Sequence, residues 1–178
     1  MNKYIIKHLG QLSLFIIPCS LFIILFSQTG CLRYGFKDIS IPDSIKTVKI
    51  NIIENRARYV NPQLSPRLTD RVRQKITGQT KLTQTNNDNA DWEISGTITE
   101  YSVTTSGLSN QQEAINRLTV SVHIIFDNHR EDARLEHDVS RNYDFSANQS
   151  LQQAESRLLD EIIRTLADDI FNRIFSDW

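Results

Sequence analysis

Cysteine is almost absent from this chain: among 178 residues only Cys19 and Cys31 are cysteines. Cys19 falls inside an apolar stretch, Leu9 to Phe26, that follows a short basic head of Lys3, Lys7 and His8. A basic head, an apolar middle and small residues before a cut form the layout of a secretory signal. Removal of residues 1–30 leaves Cys31 as the only cysteine, which excludes an internal disulfide and a thiolate metal site. The remaining domain must stand on packing, which about 150 residues can supply. Familiar catalytic patterns are missing as well. There is no phosphate-binding glycine loop, nucleophile elbow or Cys–His arrangement. His123, His129 and His137 share one segment, but their spacing matches no zinc motif. Asp160-Glu161 and Asp168-Asp169 are adjacent pairs whose side chains diverge on a helix, so they read as a solvated face. The chain therefore reads as a non-enzyme without cofactor.

What is present begins with Cys31. Ser27, Gln28, Thr29 and Gly30 lead into it, and the arrangement resembles the lipobox of bacterial lipoproteins, although Gln28 stands where leucine is usual. In that class the cysteine thiol is diacylated and the new amino terminus acylated, each buried methylene contributing about 0.8 kcal/mol of membrane affinity. The alternative is an uncleaved transmembrane anchor, since Leu9 to Phe26 just reaches the roughly 18 apolar residues a span requires. Gly10, Gln11, Ser13, Pro18 and Ser20 weaken it. Either reading places the domain outside the cytoplasm.

The net charge of −1 conceals an asymmetry. Cys31 to Leu82 holds eleven Lys and Arg against four Asp and Glu, whereas Thr83 to Trp178 holds seven against seventeen. The two halves either pair within one fold or leave a basic surface suited to an anionic lipid or glycolipid. Arg67, Arg71 and Lys75 recur every four residues along one helical stripe, with Arg56 and Arg58 in the loop before it. Arginine forks match phosphate geometry, so these five are the candidate contacts for an acidic glycolipid. A solvated helix face is the plainer reading.

Residues 31–43 form a tether and 44–178 one domain. Ser44 to Ile53 alternates as a strand, with Val48, Ile50 and Ile52 on one face. A helix follows, with Ser65 as N-cap and Pro66 in the first position, Asn61-Pro62 being a competing start. Leu64, Leu68, Val72 and Ile76 form its apolar stripe, and Gly78 ends it. Thr80 to Thr85 is a short strand, and Asn86 to Asn89 a turn. Trp92, Ile94 and Ile98 share a strand face on which Gly96 marks a bulge or a close approach. After Glu100 the phase shifts to Tyr101 and Val103, and Thr104 to Gln112 is a polar loop. Leu118, Val120, Val122, Ile124 and Phe126 alternate cleanly, opposite Thr119, Ser121 and His123. Asp127 to Asp132 turns the chain into a partner strand carrying Leu135, Val139, Tyr143 and Phe145. Pairs from Leu158/Leu159 to Ile174/Phe175 recur every four residues in a final helix from Leu151 to Phe175. This order predicts an α/β (α+β) two-layer sandwich. Its mixed sheet has four or five strands, one parallel pair, two helices on one face and a semi-polar second face.

Several of these segments carry a family resemblance. They are Cys31-Leu32-Arg33-Tyr34-Gly35-Phe36, Lys46-Thr47-Val48, Asn61-Pro62 before Leu64-Ser65, and Asn116-Arg117-Leu118-Thr119-Val120. Tyr143 with Phe145 and the ending from Asp169 to Trp178 complete the set. In order and spacing the chain resembles the lipopolysaccharide-assembly lipoprotein family, LptE, in its Bacteroidetes form. The resemblance implies a lipoprotein on the periplasmic leaflet of the outer membrane. It would plug, and assist assembly of, a β-barrel lipopolysaccharide translocon of the LptD kind, with lipopolysaccharide as a ligand and no nucleic-acid partner. Leu32 and Arg33 after Cys31, without an acidic run, favour the inward leaflet. Two rivals are open: an accessory or pilot lipoprotein of another envelope machine, told apart by the barrel or ring that co-purifies, and a tethered periplasmic hydrolase, which requires a deep polar pocket.

Overall fold

The computed structural model describes residues 41–106 and 114–175. The expected signal at 1–30, Cys31, most of the tether, part of the 104–112 loop and the last three residues lie outside the described residues. The elements are β1 Thr47–Ile50, β2 Glu54–Asn55, α1 Leu64–Gln79, β3 Thr83–Gln84, β4 Trp92–Ser106, β5 Ile115–Asn128, β6 Ala133–Ser146 and α2 Leu151–Phe175. They form an α+β fold with one mixed, open sheet in the order β3-β1-β4-β5-β6, and β2 also pairs with β4. The sheet thus has six strands rather than four or five, two of them only two residues long. β1 pairs parallel with both β3 and β4, and β2 pairs parallel with β4. The antiparallel β4–β5–β6 meander is the frame of the sheet.

β5 is the clearest case of pattern becoming structure. Leu118, Val120, Val122, Ile124 and Phe126 are all buried, while Thr119, Ser121 and His123 remain on the half-exposed side. On α2 the paired apolar positions all face inward, from Leu158/Leu159 to Ile174/Phe175. Each fully buried Leu, Ile or Phe contributes about 1.5–3 kcal/mol of transfer free energy, so this face alone secures the helix. On β4 Trp92, Ile94 and Ile98 are buried, the register shifts between Ile98 and Glu100, and Tyr101 becomes the next buried side chain.

Four details differ from the sequence expectation. The first strand is four residues, not ten, because the chain departs after Ile50 and leaves Ile52 exposed. Helix α1 begins at Leu64. The Ser65 hydroxyl caps nothing there; it donates to the Ile53 carbonyl (2.6 Å), while Thr69 Oγ1 accepts the Ile53 N–H (3.0 Å). The helix runs through Gly78 to Gln79 and closes with Thr80, whose N–H and hydroxyl both donate to the Ile76 carbonyl. Of the two readings of Gly96 the close approach holds, since a Cβ there would lie 2.9 Å from Ile124 Cδ1 and 3.2 Å from Ile53 Cγ1. The bulge comes at Thr99 instead, and β4 continues as strand to Ser106 where a loop was expected from Thr104.

Among the described residues no helix is long and apolar enough to cross a membrane.

Candidate functional site

The five cations do not behave as one group. Arg67 pairs with Asp160 and Lys75 with Asp168 (2.5 Å), both acceptors lying on α2. Equal spacing of eight residues on each helix means that α1 and α2 run parallel. Lys75 also sits 5.2 Å over the Phe171 ring. Arg56 is held by Glu54 (2.7 Å). Arg58 and Arg71 are exposed and make no hydrogen bond or ion pair among the described residues. Arg141 on β6 pairs with Asp169 (2.6 Å). The Asp168-Asp169 pair is thus not only a solvated face: Asp168 accepts from Lys75 of the basic half, and Asp169 from Arg141 within the acidic half. Among the described residues three cations of the basic half, Lys49, Arg67 and Lys75, pair with carboxylates of the acidic half.

The second face of the sheet is semi-polar, as expected, and uncovered among the described residues, with its polarity organised in rungs. Arg117 binds Asp144 through two hydrogen bonds (2.7 and 2.9 Å), which holds the guanidinium charged. Thr119 donates to Asn142 (2.9 Å), Ser121 meets Ser140 (2.9 Å), and His123 Nδ1 lies 2.8 Å from Asp138. Cross-strand polar pairs of this kind each contribute a fraction of a kcal/mol and stiffen the face.

Each end of the sheet holds a buried polar cluster absent from the sequence reading. At the start of β4, Asp91 Oδ2 accepts the Lys46 and Thr47 N–H groups and the Thr47 hydroxyl, all at 2.9 Å. Its Oδ1 accepts Arg130 Nε (2.5 Å). Backbone donation from Lys46 is the largest influence holding its carboxyl well below the usual range, burial opposing it. Near the other end, Glu155 in the first turns of α2 accepts from Tyr101 (2.7 Å), Asn61 (3.0 Å) and Tyr59 (3.2 Å). Tyr59 stacks on Tyr101 with centroids 5.4 Å apart. Burial first, then the bond to Glu155, pushes the Tyr101 phenol far up. One signal for Glu155 was available: carrying the α2 pairs back four residues from Leu158/Leu159 lands on Ala154/Glu155, a carboxylate on the core stripe.

Among the described residues these features are a stiff polar face, a strand edge and charged rungs, and no group of three or more His, Cys, Asp or Glu is placed to hold a metal. The fold defines an α+β module with one polar sheet face. The model of the lipopolysaccharide-assembly family, LptE, matches residues 45–174, and the chain belongs to that family, whose role is lipopolysaccharide assembly. Among solved structures the domain is similar to protein XCC0632 from Xanthomonas campestris, at 7% identity and a TM-score of 0.51, over 74% of this chain and 83% of that one. It is also similar to CT253 from Chlamydia trachomatis, at 10% identity and a TM-score of 0.46, over 73% and 95% of the two chains. A minor lipoprotein from Acinetobacter baumannii matches at 16% identity and a TM-score of 0.39, over 74% and 88%. No curated protein matches.

Proposed function

We propose that this chain is a non-enzymatic lipoprotein anchored through Cys31 in the periplasmic leaflet of the outer membrane. There it plugs and helps assemble a β-barrel of the LptD kind that carries lipopolysaccharide to the cell surface. The observation that carries the reading is the family match, which runs from before β1 almost to the end of α2. The open sheet face supports it, because outer-membrane barrel lumens are polar and this face offers hydroxyls, amides and paired charges. Direct contact with lipopolysaccharide falls to Arg56, Arg58, Arg67, Arg71 and Lys75. Of these, Arg58 and Arg71 are free to take a phosphate, whereas Arg67 and Lys75 must exchange Asp160 and Asp168 for it.

The test is affinity purification of the tagged full-length protein from outer membranes in mild detergent, with partners identified by mass spectrometry. A near-stoichiometric β-barrel protein is the expected result. Recovery with a different secretion complex, or alone, defeats the translocon reading. The ligand site is tested separately by replacing the five cations with Ser; unchanged binding of purified lipopolysaccharide removes it.

A further inference from the structure

The outer edge of β4 changes character at its bulge. Up to Ile98 it is covered by β1 and β2. There Asn51 N–H donates to the Ile94 carbonyl (2.9 Å) and Arg56 N–H to the Ile98 carbonyl (3.0 Å). Even-numbered residues therefore turn their backbone groups outward in that half. The register shift between Ile98 and Glu100 passes this role to Tyr101, Val103 and Thr105. Among the described residues no strand pairs with this second half on its outer side.

Val103 lies in that row and Tyr59 is stacked on Tyr101 of the same row, with Val60 next to Tyr59 in the chain; these large apolar side chains are 38%, 44% and 53% exposed. Tyr59 is fixed rather than loose, since it is stacked on Tyr101 and bonded to Glu155. Rigid, half-exposed tyrosine at a contact centre is the usual anchor of protein interfaces. Arg58 stands next to it without an acidic partner among the described residues.

We infer that the outer edge of β4 from Thr99 to Ser106, with Tyr59, Val60 and Val103 beside it, is a docking strand for an extended, acidic segment of the barrel partner. That segment adds one strand to the sheet and sets a carboxylate opposite Arg58, so that in the docked complex Arg71 is the unpaired cation left for lipopolysaccharide. The inference rests on the translocon reading. A lipid does not fit, because an open row of N–H and C=O groups is satisfied in register only by another backbone. A second copy fits poorly, since a two-fold pairing offers each partner the same patch. In that patch Glu54 is bound by Arg56, Glu155 is buried, and Glu100 is taken by Ser102 and Ser121. The domain begins beside Asp91, and α2 ends against Trp92 with ring centroids 6.0 Å apart. The open edge lies at the other end of a strand about 45 Å long.

The experiment places a photo-crosslinking amino acid at Val60 or Val103 of the full-length protein in cells and maps the products to peptides. Both positions should crosslink one segment of the co-purifying barrel protein. Val103→Pro removes one outward N–H without touching the β5 ladder, as edge strands tolerate. It should lower the Val60 crosslink about tenfold relative to recovered barrel, and Arg58→Glu should lower it too. Val103→Lys, with its folding checked by circular dichroism, serves as a second variant should the proline disturb the strand. A recovered barrel without crosslinks, or with crosslinks that neither Val103 variant reduces, overturns the docking strand and leaves the translocon reading intact. Crosslinks to a second copy overturn it in favour of self-pairing. Absence of any barrel protein defeats both.

Discussion

The two ends of the sheet each bury one carboxylate, and they stabilise it by different means. Asp91 is met by two backbone N–H groups, a hydroxyl and the Arg130 guanidinium, so its charge is both solvated and neutralised. Glu155 is met by two phenols and an amide, with no cation among its hydrogen-bond partners in the described residues. The first cluster draws its donors from the entry to β1 and the β5–β6 turn, which is what a clamp requires. The second holds two aromatic rings and the entry to α1 against α2, leaving one ring half exposed. One end closes the fold. The other prepares a surface.

The sharpest way to break the contrast is Asp91→Ala. It strands Arg130 and two backbone amides, and should cost about 3 kcal/mol, the low end for breaking a buried ion pair because Arg130 is 61% exposed. Urea denaturation measures it. The pH dependence follows from the lowered carboxyl: unfolded Asp titrates near 3.8 and the folded one lower. Stability from Asp91 is therefore complete above that value and declines as pH falls below it toward the folded pKa. Asp91→Asn should flatten this acid limb.

Next is Glu155. Glu155→Ala leaves Asn61 and the Tyr101 hydroxyl buried without their acceptor and should cost about 2 kcal/mol. Glu155→Gln keeps one acceptor and offers Tyr59 a donor, so the loss should stay below about 1 kcal/mol. A full-sized loss in the Gln variant would show that charge, not hydrogen bonding, holds this end. At alkaline pH the sign is opposite to Asp91. Tyr101 is raised above the ordinary 10.0, so its contribution is complete below pH 10 and declines as pH rises toward the folded pKa. Tyr101→Phe should weaken that limb.

The elements legible in the sequence were those whose partners are periodic within themselves. β5 and α2 carry their burial in alternation and in four-residue pairs, and the Ile98–Tyr101 phase change marked the bulge. What stayed hidden depends on residues far along the chain. Ser44 to Ile53 alternates for ten residues, yet β1 ends at Ile50, whose carbonyl accepts from Arg73 (3.0 Å), while α1 takes both backbone groups of Ile53. Ser65 reads as a cap only if its hydroxyl has no better use. The stripe Arg67, Arg71 and Lys75 was visible; that Asp160 and Asp168 match its spacing required knowing that the helices run parallel. Asp91 precedes Trp92 without any local mark of its role.

Gly96 separates the ends and tests whether they are independent. A methyl group there meets Ile124 and Ile53, both buried, so Gly96→Ala should cost about 1 kcal/mol. Adding Ile124→Val deletes the nearest atom and should return part of that loss. Combined with Asp91→Asn the effects should add to within about 0.5 kcal/mol, as for distant sites. Non-additivity would join clamp and surface into one unit.

The smallest effects belong to the rungs that join the two halves. Arg67 and Asp160 are 46% and 82% exposed, so Arg67→Ser should change stability by less than about 0.5 kcal/mol, and less again in high salt. Lys75 is only 17% exposed and lies over Phe171, so Lys75→Ser should cost more, about 1 kcal/mol. Thermal denaturation at two ionic strengths separates them, because only the first should respond strongly to salt. If both prove nearly neutral, the cations of α1 contribute little to the fold, and their value must lie in what they contact outside it. If Arg67 instead costs as much as Lys75, the stripe is a structural seam, and the glycolipid contact contracts to Arg71 once Arg58 is docked.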